Sequence, residues 1–146
     1  VSYFCKGRNI FFTVTMEEGL EPVSIGKEEL FQVTSNVVVN AVQAMPDGGS
    51  LEVTGARFVC HEKDEALKLR PGHYVVIRIS DSGCGIAPGA IGSIFDLFYS
   101  TRNEGSGLGL AICASIMKRT GGAIDVESHP GTGSTFSLYF PVSVSF

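Results

Sequence analysis

The spacing of apolar side chains along the chain predicts most of its secondary structure. In "NIFFTVTME", apolar and polar positions alternate and put Ile10, Phe12 and Val14 on one side, as in a β-strand. From Lys27 the apolar period lengthens to three or four residues, which predicts a helix with one buried face. That face consists of Leu30, Val33, Val37, Ala41 and Met45. The turn-forming sequence Pro-Asp-Gly-Gly at 46–49 ends this helix.

The rest of the chain predicts four more strands and a second helix. "SLEVTGARFV" and "YVVIRIS" are typical of strands, and the charged segment "CHEKDEALKLRPGH" between them predicts a solvated hairpin connection. A short helical turn is expected within 87–95, and "LGLAICASIMKRTGG" predicts a helix bounded by glycines. "AIDVESH" and "STFSLYFPVSV" alternate and are joined by the turn "PGTG". Because hairpins dominate this order, we expect an α+β fold, a two-layer α/β sandwich with a mixed β-sheet and helices on one face.

Composition and charge narrow the class of protein. The 146 residues are 44% hydrophobic and 18% charged, which is typical of one soluble globular domain. The net charge of −4 predicts no nucleic-acid partner, and no apolar run is long enough to predict membrane contact. The four cysteines show no CxxC pair or zinc-ligand spacing, so we expect reduced thiols and a cytoplasmic domain. The chain opens on "VSYF" without an initiator Met or signal peptide, so 1–146 is expected to be a single domain of a larger protein.

Two asparagines on the first predicted helix are candidate metal ligands. Asn36 and Asn40 are four residues apart, so they share one face of the helix beside its apolar stripe. An Asn carbonyl oxygen is a hard ligand suited to Mg²⁺, which takes few protein oxygens and keeps several waters. A single asparagine is more often a solvated surface residue, but the spacing of this pair favours a site.

Two glycine clusters are candidate walls of a ligand pocket. "DSGCGI" follows a predicted strand, so Asp81 lies near a strand end, where its carboxylate can accept a hydrogen bond from an exocyclic amine. The glycines beside it allow a flat ring to approach the backbone. "GSGLGLAI" leads into the second helix, whose N-terminal N–H groups form an anion site. Either cluster alone is equally consistent with an ordinary turn. Leu110 stands where a dinucleotide fingerprint needs glycine, and no P-loop sequence is present.

Five motifs follow one another along the chain: "NVVVNAVQAMPDGG", "DSGCGI", "IFDLFYSTR", "GSGLGLAI" and "GTGSTF". In this order they resemble the N box, the first glycine box, the phenylalanine box, the second glycine box and the last glycine box of the ATP-binding domain of histidine kinases. The likeness runs from Leu30 to Pro141, and "NAVQAM" is most similar to the nitrogen-regulation-like branch. The resemblance implies the Bergerat fold, with ATP held between the helices and a lid. It also implies two protein partners: an N-terminal dimerisation domain carrying the phosphoacceptor histidine, and a downstream response regulator.

The same resemblance implies a role for each motif residue. Asn40 would ligate Mg²⁺, with Asn36 assisting at the metal or the phosphates, and Asp81 would bind the adenine amine with Thr135 beside it. The adenine slot would be lined by Gly83, Gly85 and Ile86. The phosphates would be bound by the backbone of Gly105, Gly107, Leu108 and Gly109, with Arg102 as a further contact. Phe95 and Phe98 would anchor the lid or simply pack in the core.

One substitution bears on the type of reaction. ATPases of the wider superfamily resemble one another in having a Glu four residues before the metal-binding Asn, and Asn36 stands at that position here. An amide cannot act as a general base, so transfer to a partner side chain is favoured over hydrolysis. His61, His73 and His129 lie in predicted connections and turns, so the acceptor histidine is expected in another domain. The alternative is a pseudo-kinase, a nucleotide-binding regulatory module without phosphotransfer, because Gln43 replaces a lysine and the lid is short.

Overall fold

A computed structural model describes residues 2–5, 9–96 and 109–143 of the chain. In chain order the elements are β1 (Ser2–Cys5), β2 (Ile10–Met16), α1 (Lys27–Gln43), β3 (Gly49–Cys60), β4 (Gly72–Asp81), α2 (Gly109–Arg119), β5 (Ala123–His129) and β6 (Gly133–Pro141). A 3₁₀ turn at Ile91–Ser93 lies after β4, where a short helical turn was expected. Both predicted helices and all five predicted strands are therefore confirmed, and β1 is an addition to them.

The strands form one six-stranded sheet in the order β1-β2-β3-β4-β6-β5. β2 and β3 are parallel and are connected through α1, whereas every other neighbouring pair is antiparallel. The predicted mixed sheet is thus confirmed. β1 pairs with the start of β2, and at four residues it is too short for its sequence to show a period.

Both helices cover the same face of the sheet. They bury the side chains Val33, Val37 and Ala41 of α1 and Cys113, Ile116 and Met117 of α2. These side chains form one core with alternate residues of the strands, among them Ile10, Leu51, Val53, Ile79, Phe136, Leu138 and Phe140. The two-layer arrangement and the buried face of α1 are confirmed. In the described part of the chain, neither helix is long and apolar enough to cross a membrane.

The end of α2 shows how glycine closes a helix. Gly121 has φ +80°, and its N–H donates to the carbonyl of Lys118 at 3.3 Å. The next N–H, of Gly122, donates to the carbonyl of Met117 at 2.9 Å. These two bonds form a Schellman motif, which satisfies carbonyl groups that the last turn leaves unpaired. The predicted stop at this glycine pair is therefore confirmed.

The connection between β3 and β4 covers part of the opposite face of the sheet. Leu69 is fully buried beside Cys60 and Tyr74, and Phe58 packs edge-on against Tyr139 with ring centroids 5.1 Å apart. The prediction of a solvated connection is wrong for its apolar residues, because they pack into a second, smaller hydrophobic cluster on this face of the sheet. Charged side chains dominate the segment and hid the buried leucine in the sequence pattern.

Candidate nucleotide-binding site

Asp81 ends β4 with its side chain on the helix-covered face of the sheet. Ile79, two residues earlier on the same face, belongs to the core, and Asp81 itself is only 8% exposed. Its neighbours across the sheet are Leu51 on β3 and Ser134 on β6. Its Oδ1 atom accepts a hydrogen bond of 2.9 Å from the backbone N–H of Gly83. A carboxylate therefore lies at the edge of an otherwise apolar layer, at the strand end where the sequence predicted it.

The loop after Asp81 is fixed on three sides by backbone hydrogen bonds. Toward β3, the N–H of Ser82 donates to the carbonyl of Ser50 at 3.1 Å. Toward the C-terminal end of α1, the N–H of Cys84 donates to the carbonyl of Ala44 at 3.1 Å. Toward the β5–β6 turn, the carbonyl of Cys84 accepts a bond of 2.8 Å from the N–H of Gly131. Cys84 keeps an exposed thiol while its backbone links a helix to a hairpin.

The glycines of this loop are required by the protein backbone. A Cβ atom on Gly83 would lie 2.4 Å from the carbonyl oxygen of Ala44. A Cβ on Gly85, which has φ +73°, would lie 2.3 Å from the carbonyl oxygen of His129. Neither contact leaves room for a side chain. From the sequence, we predicted that these positions are glycine because a flat ring approaches the backbone there. That role stays a prediction, and close packing of the chain on itself is a sufficient reason for both.

The two predicted asparagines lie on the side of α1 toward α2. The Nδ2 group of Asn36 donates to the carbonyl of Gly109, the first residue of α2, at 3.2 Å. Burial raises the pKa of the Cys113 thiol to about 11. A hydrogen bond with the side chain of Asn36 partly offsets this rise. The thiol is therefore protonated at neutral pH. Asn40 is half-buried and lies one helical turn after Asn36.

Together these contacts set the two ends of the candidate site. Ala44, at the end of α1, touches the first glycine cluster, and Asn36 touches the start of α2. Asn36 and Ala44 are eight positions apart, which corresponds to a rise of about 12 Å along the helix, and Asn40 lies midway. The carboxylate end and the α2 end of the site are thus arranged along one side of α1. Of the residues predicted to contact phosphates, Gly109 is described, whereas Arg102, Gly105, Gly107 and Leu108, like Phe98 of the lid, lie outside the described residues.

Thr135 is the predicted site residue that the structure does not bring to Asp81. Its hydroxyl hydrogen-bonds that of Ser80 at 2.8 Å, and Ser80 points to the face of the sheet opposite to Asp81. The residue of β6 directly across from Asp81 is Ser134, which is buried and bonds Ser128 at 2.7 Å. Neighbouring strand residues face opposite ways, so an error of one position moves the hydroxyl to the other side of the sheet.

A pair of alanine substitutions tests which of the two hydroxyl groups lies at the site. We expect Ser134→Ala to weaken ADP binding by about three- to tenfold, because one hydrogen-bonding group beside Asp81 is removed. Thr135→Ala is expected to leave the ADP affinity unchanged, since its hydroxyl faces the other side of the sheet. Isothermal titration of both variants measures the difference. The reverse order of effects would restore Thr135 as the site residue.

The remaining described site residues border the core. The backbone N–H of Ile86 donates to the hydroxyl of Ser128 at 2.7 Å, and the side chain of Ile86 packs against the core. Phe95 meets Phe136 edge-on, with centroids 6.4 Å apart. For Phe95 the structure therefore shows the core packing that was the alternative to a lid anchor. Ser128 and Ser134 were missed from the sequence, where they look like ordinary strand serines.

The groups along this side of α1 fit a magnesium nucleotide. Asp81 supplies a buried acceptor for an N–H group of a base, and the amide oxygen of Asn40 is a hard ligand for Mg²⁺. The first-turn N–H groups of α2 have no partners within their helix and can bind an anion. A carboxylate, an amide oxygen that could hold a metal and N–H groups that could bind an anion therefore follow one another in that order along the helix.

Comparison with known proteins identifies the family. The sequence profile described as "Histidine kinase-, DNA gyrase B-, and HSP90-like ATPase" matches residues 26–144. The chain belongs to this ATPase family. The resemblance inferred from its five motifs is confirmed, and the expected fold with it. The nitrogen-regulation-like branch stays a prediction.

Individual members of the family point to the kinase branch. Sensor histidine kinase ZraS of Escherichia coli (strain K12) is 34% identical over 145 residues, which is 99% of this chain but only 28% of ZraS. The catalytic domain of histidine kinase ThkA superimposes with a TM-score of 0.75 at 26% identity, covering 94% of this chain and 82% of that domain. Full-length ShkA in complex with AMPPNP gives a TM-score of 0.74 at 25% identity, covering 96% of this chain and 27% of ShkA.

Proposed function

We propose that the chain is the ATP-binding catalytic domain of a sensor histidine kinase. In this proposal it transfers the γ-phosphoryl group of ATP to a histidine on a separate dimerisation domain, and a response regulator receives the group afterwards. The observation that supports it most is the buried Asp81 carboxylate near the C-terminal end of α1, with the start of α2 bonded to Asn36 about two helical turns earlier. The ShkA complex with AMPPNP supports an adenine nucleotide as the ligand.

The described residues divide into a base end and a phosphate end. Asp81 would accept a hydrogen bond from the adenine amine, with Ser134 beside it and with Gly83, Gly85 and Ile86 along the slot. Asn40 would hold Mg²⁺, and Gly109 with the first turn of α2 would bind phosphate oxygens. The bound metal nucleotide supplies the phosphoryl group and the cation that offsets its charge. The same end would include Arg102, Gly105, Gly107 and Leu108.

Asn36 is better suited to positioning than to proton transfer. Its Nδ2 group is bonded to the carbonyl of Gly109, and an amide has no basic lone pair at neutral pH. In this role Asn36 holds the start of α2 at a fixed distance from Asn40. Without a general base at this position, activation of water is disfavoured and transfer to a positioned acceptor is favoured. This is the physical reason for proposing a kinase and not a hydrolase.

The test uses the longer natural protein that this proposal requires, incubated with γ-labelled ATP and Mg²⁺. We expect label on the protein that is stable in alkali and lost in acid, as for a phosphohistidine. Asn40→Ala is expected to reduce the labelling rate about 100-fold or more, because a ligand of the charge-neutralising metal is removed. Gln32→Ala removes an exposed amide from the same helix and is expected to have no effect.

The outcomes separate three cases. Labelling in the wild type that Asn40→Ala leaves intact would overturn the role of Asn40 alone. ADP binding without any labelling would indicate a nucleotide-binding regulatory module. A wild-type chain that binds neither ADP nor ATP in isothermal titration would overturn the proposed site.

A further inference from the structure

Ser128, which lies outside all five motifs, joins two parts of the candidate site. It is the penultimate residue of β5, and its half-buried hydroxyl lies within hydrogen-bonding distance of three groups. These are the N–H of Ile86 at 2.7 Å, the carbonyl of Gly133 at 3.1 Å and the hydroxyl of Ser134 at 2.7 Å. Ile86 is the last residue of the first glycine cluster, and Ser134 is directly across from Asp81. One side chain therefore contacts both the loop after β4 and strand β6.

The donors and acceptors around Ser128 fix the direction of each hydrogen bond. A hydroxyl has one hydrogen to donate and two lone pairs that accept. The N–H of Ile86 can only donate, so it uses one lone pair of Ser128. The carbonyl of Gly133 can only accept, so it takes the Ser128 hydrogen. The second lone pair of Ser128 then accepts the hydroxyl hydrogen of Ser134. Because its hydrogen is used in this way, the Ser134 hydroxyl can only accept a hydrogen bond from any further partner.

We propose that Ser128 is a positioning residue that holds Ser134 as a hydrogen-bond acceptor beside Asp81, and so makes the site select a base with an amino group. The proposal rests on the proposed nucleotide-binding function. Residues directly across an antiparallel pair have Cβ atoms about 5 Å apart, so one ligand amine can reach both side chains. The exocyclic amine of adenine has two hydrogens, one for each acceptor. Hypoxanthine has a carbonyl oxygen at that position, which faces two acceptors and bonds to neither.

The test compares ADP with IDP, the hypoxanthine nucleotide, by isothermal titration of this chain. We expect the wild type to prefer ADP. In Ser128→Ala the Ser134 hydrogen is released and can donate to the carbonyl of IDP. The ADP affinity is therefore expected to fall about three- to tenfold, and the ADP-to-IDP ratio by about fivefold or more. Ser128→Thr keeps the hydroxyl and suits a strand, so it is expected to keep the wild-type ratio.

Two further variants separate this role from a general loss of structure. Ser137→Ala removes a similarly buried serine of β6 that faces the other side of the sheet, and it is expected to leave the ratio unchanged. In a Ser134→Ala background, Ser128→Ala is expected to change the ratio no further, because Ser128 acts through Ser134. If thermal melting shows that Ser128→Ala does not fold, Ser134→Ala carries the test alone, since it removes the same acceptor and is expected to lower the ratio.

Several results would overturn the inference. An unchanged ratio in folded Ser128→Ala would do so, as would a Ser128→Thr variant that loses selectivity as Ser128→Ala does. A wild type that binds ADP and IDP equally well overturns this inference and leaves the proposed function standing. A wild type that binds neither nucleotide overturns both.

Discussion

Asp81→Asn is expected to lower the affinity for ADP about 100-fold or more. The substitution keeps the shape of the side chain, and an amide oxygen can still accept the hydrogen bond from Gly83. It exchanges the second acceptor oxygen for an NH₂ group, which would face the amine of adenine, donor against donor. Loss of a charged hydrogen bond together with an unsatisfied buried donor costs about 3 kcal/mol, which corresponds to that loss of affinity. Isothermal titration with ADP measures it.

The controls for Asp81→Asn separate base recognition from stability and charge. Asp125→Asn makes the same chemical change at an exposed position of β5 and is expected to leave binding intact. IDP should lose less affinity than ADP in the Asp81→Asn variant, because the new NH₂ group can donate to its carbonyl. An equal loss for both nucleotides would argue against a contact between Asp81 and the amine. An unchanged ADP affinity would remove Asp81 from the site.

Gly83→Ala is expected to destabilise the fold by about 2–4 kcal/mol and to abolish tight nucleotide binding. The added Cβ would lie 2.4 Å from the carbonyl oxygen of Ala44 and 2.8 Å from the Ala44 Cβ. Backbone cannot rotate away as a side chain can, so the loop must move and the bond between Cys84 and Ala44 must lengthen. The melting temperature should fall by roughly 5–15 °C. Because Asp81 lies two residues before Gly83, its carboxylate should be displaced as well.

Gly89→Ala is the matched control for this steric argument. No atom lies within 4 Å of the position that a Cβ on Gly89 would take, and the backbone of Gly89 is not in the left-handed region. The substitution is expected to be neutral or to stabilise slightly, by up to about 1 kcal/mol, because it restricts the unfolded chain. Equal effects of the two substitutions on the melting temperature would show that the contact with Ala44 does not limit the loop.

The predicted fold agrees with the structure because its signals are local. The buried residues Val33, Val37 and Ala41 recur every four positions along α1, and the glycine pair at 121–122 closes α2 with its own hydrogen bonds. Charged residues around Leu69 gave no such signal, because that leucine packs in a cluster with residues of β4, β5 and β6. Local periodicity cannot report a contact that exists only after the chain folds back.

The residues of the candidate site also differ in whether local sequence signals mark them. The sequence predicted Asp81, Asn36 and Asn40 as site residues, because chemical type and spacing within one element mark them, and their roles stay predictions. It chose Thr135 in place of Ser134, because β6 is buried on both faces over most of its length and alternation there does not reveal which face holds the site.

By itself, the sequence determined the order of elements, the buried faces of its amphipathic segments and the family of the chain. Only the tertiary structure decided which residues of different elements contact one another. It put Ser134 across from Asp81, joined Ser128 to Ile86, and packed Gly83 against Ala44. Each of these contacts connects elements far apart in the chain. The position of Ser134 depends on strand register as well, where a shift of one residue reverses the direction of every side chain.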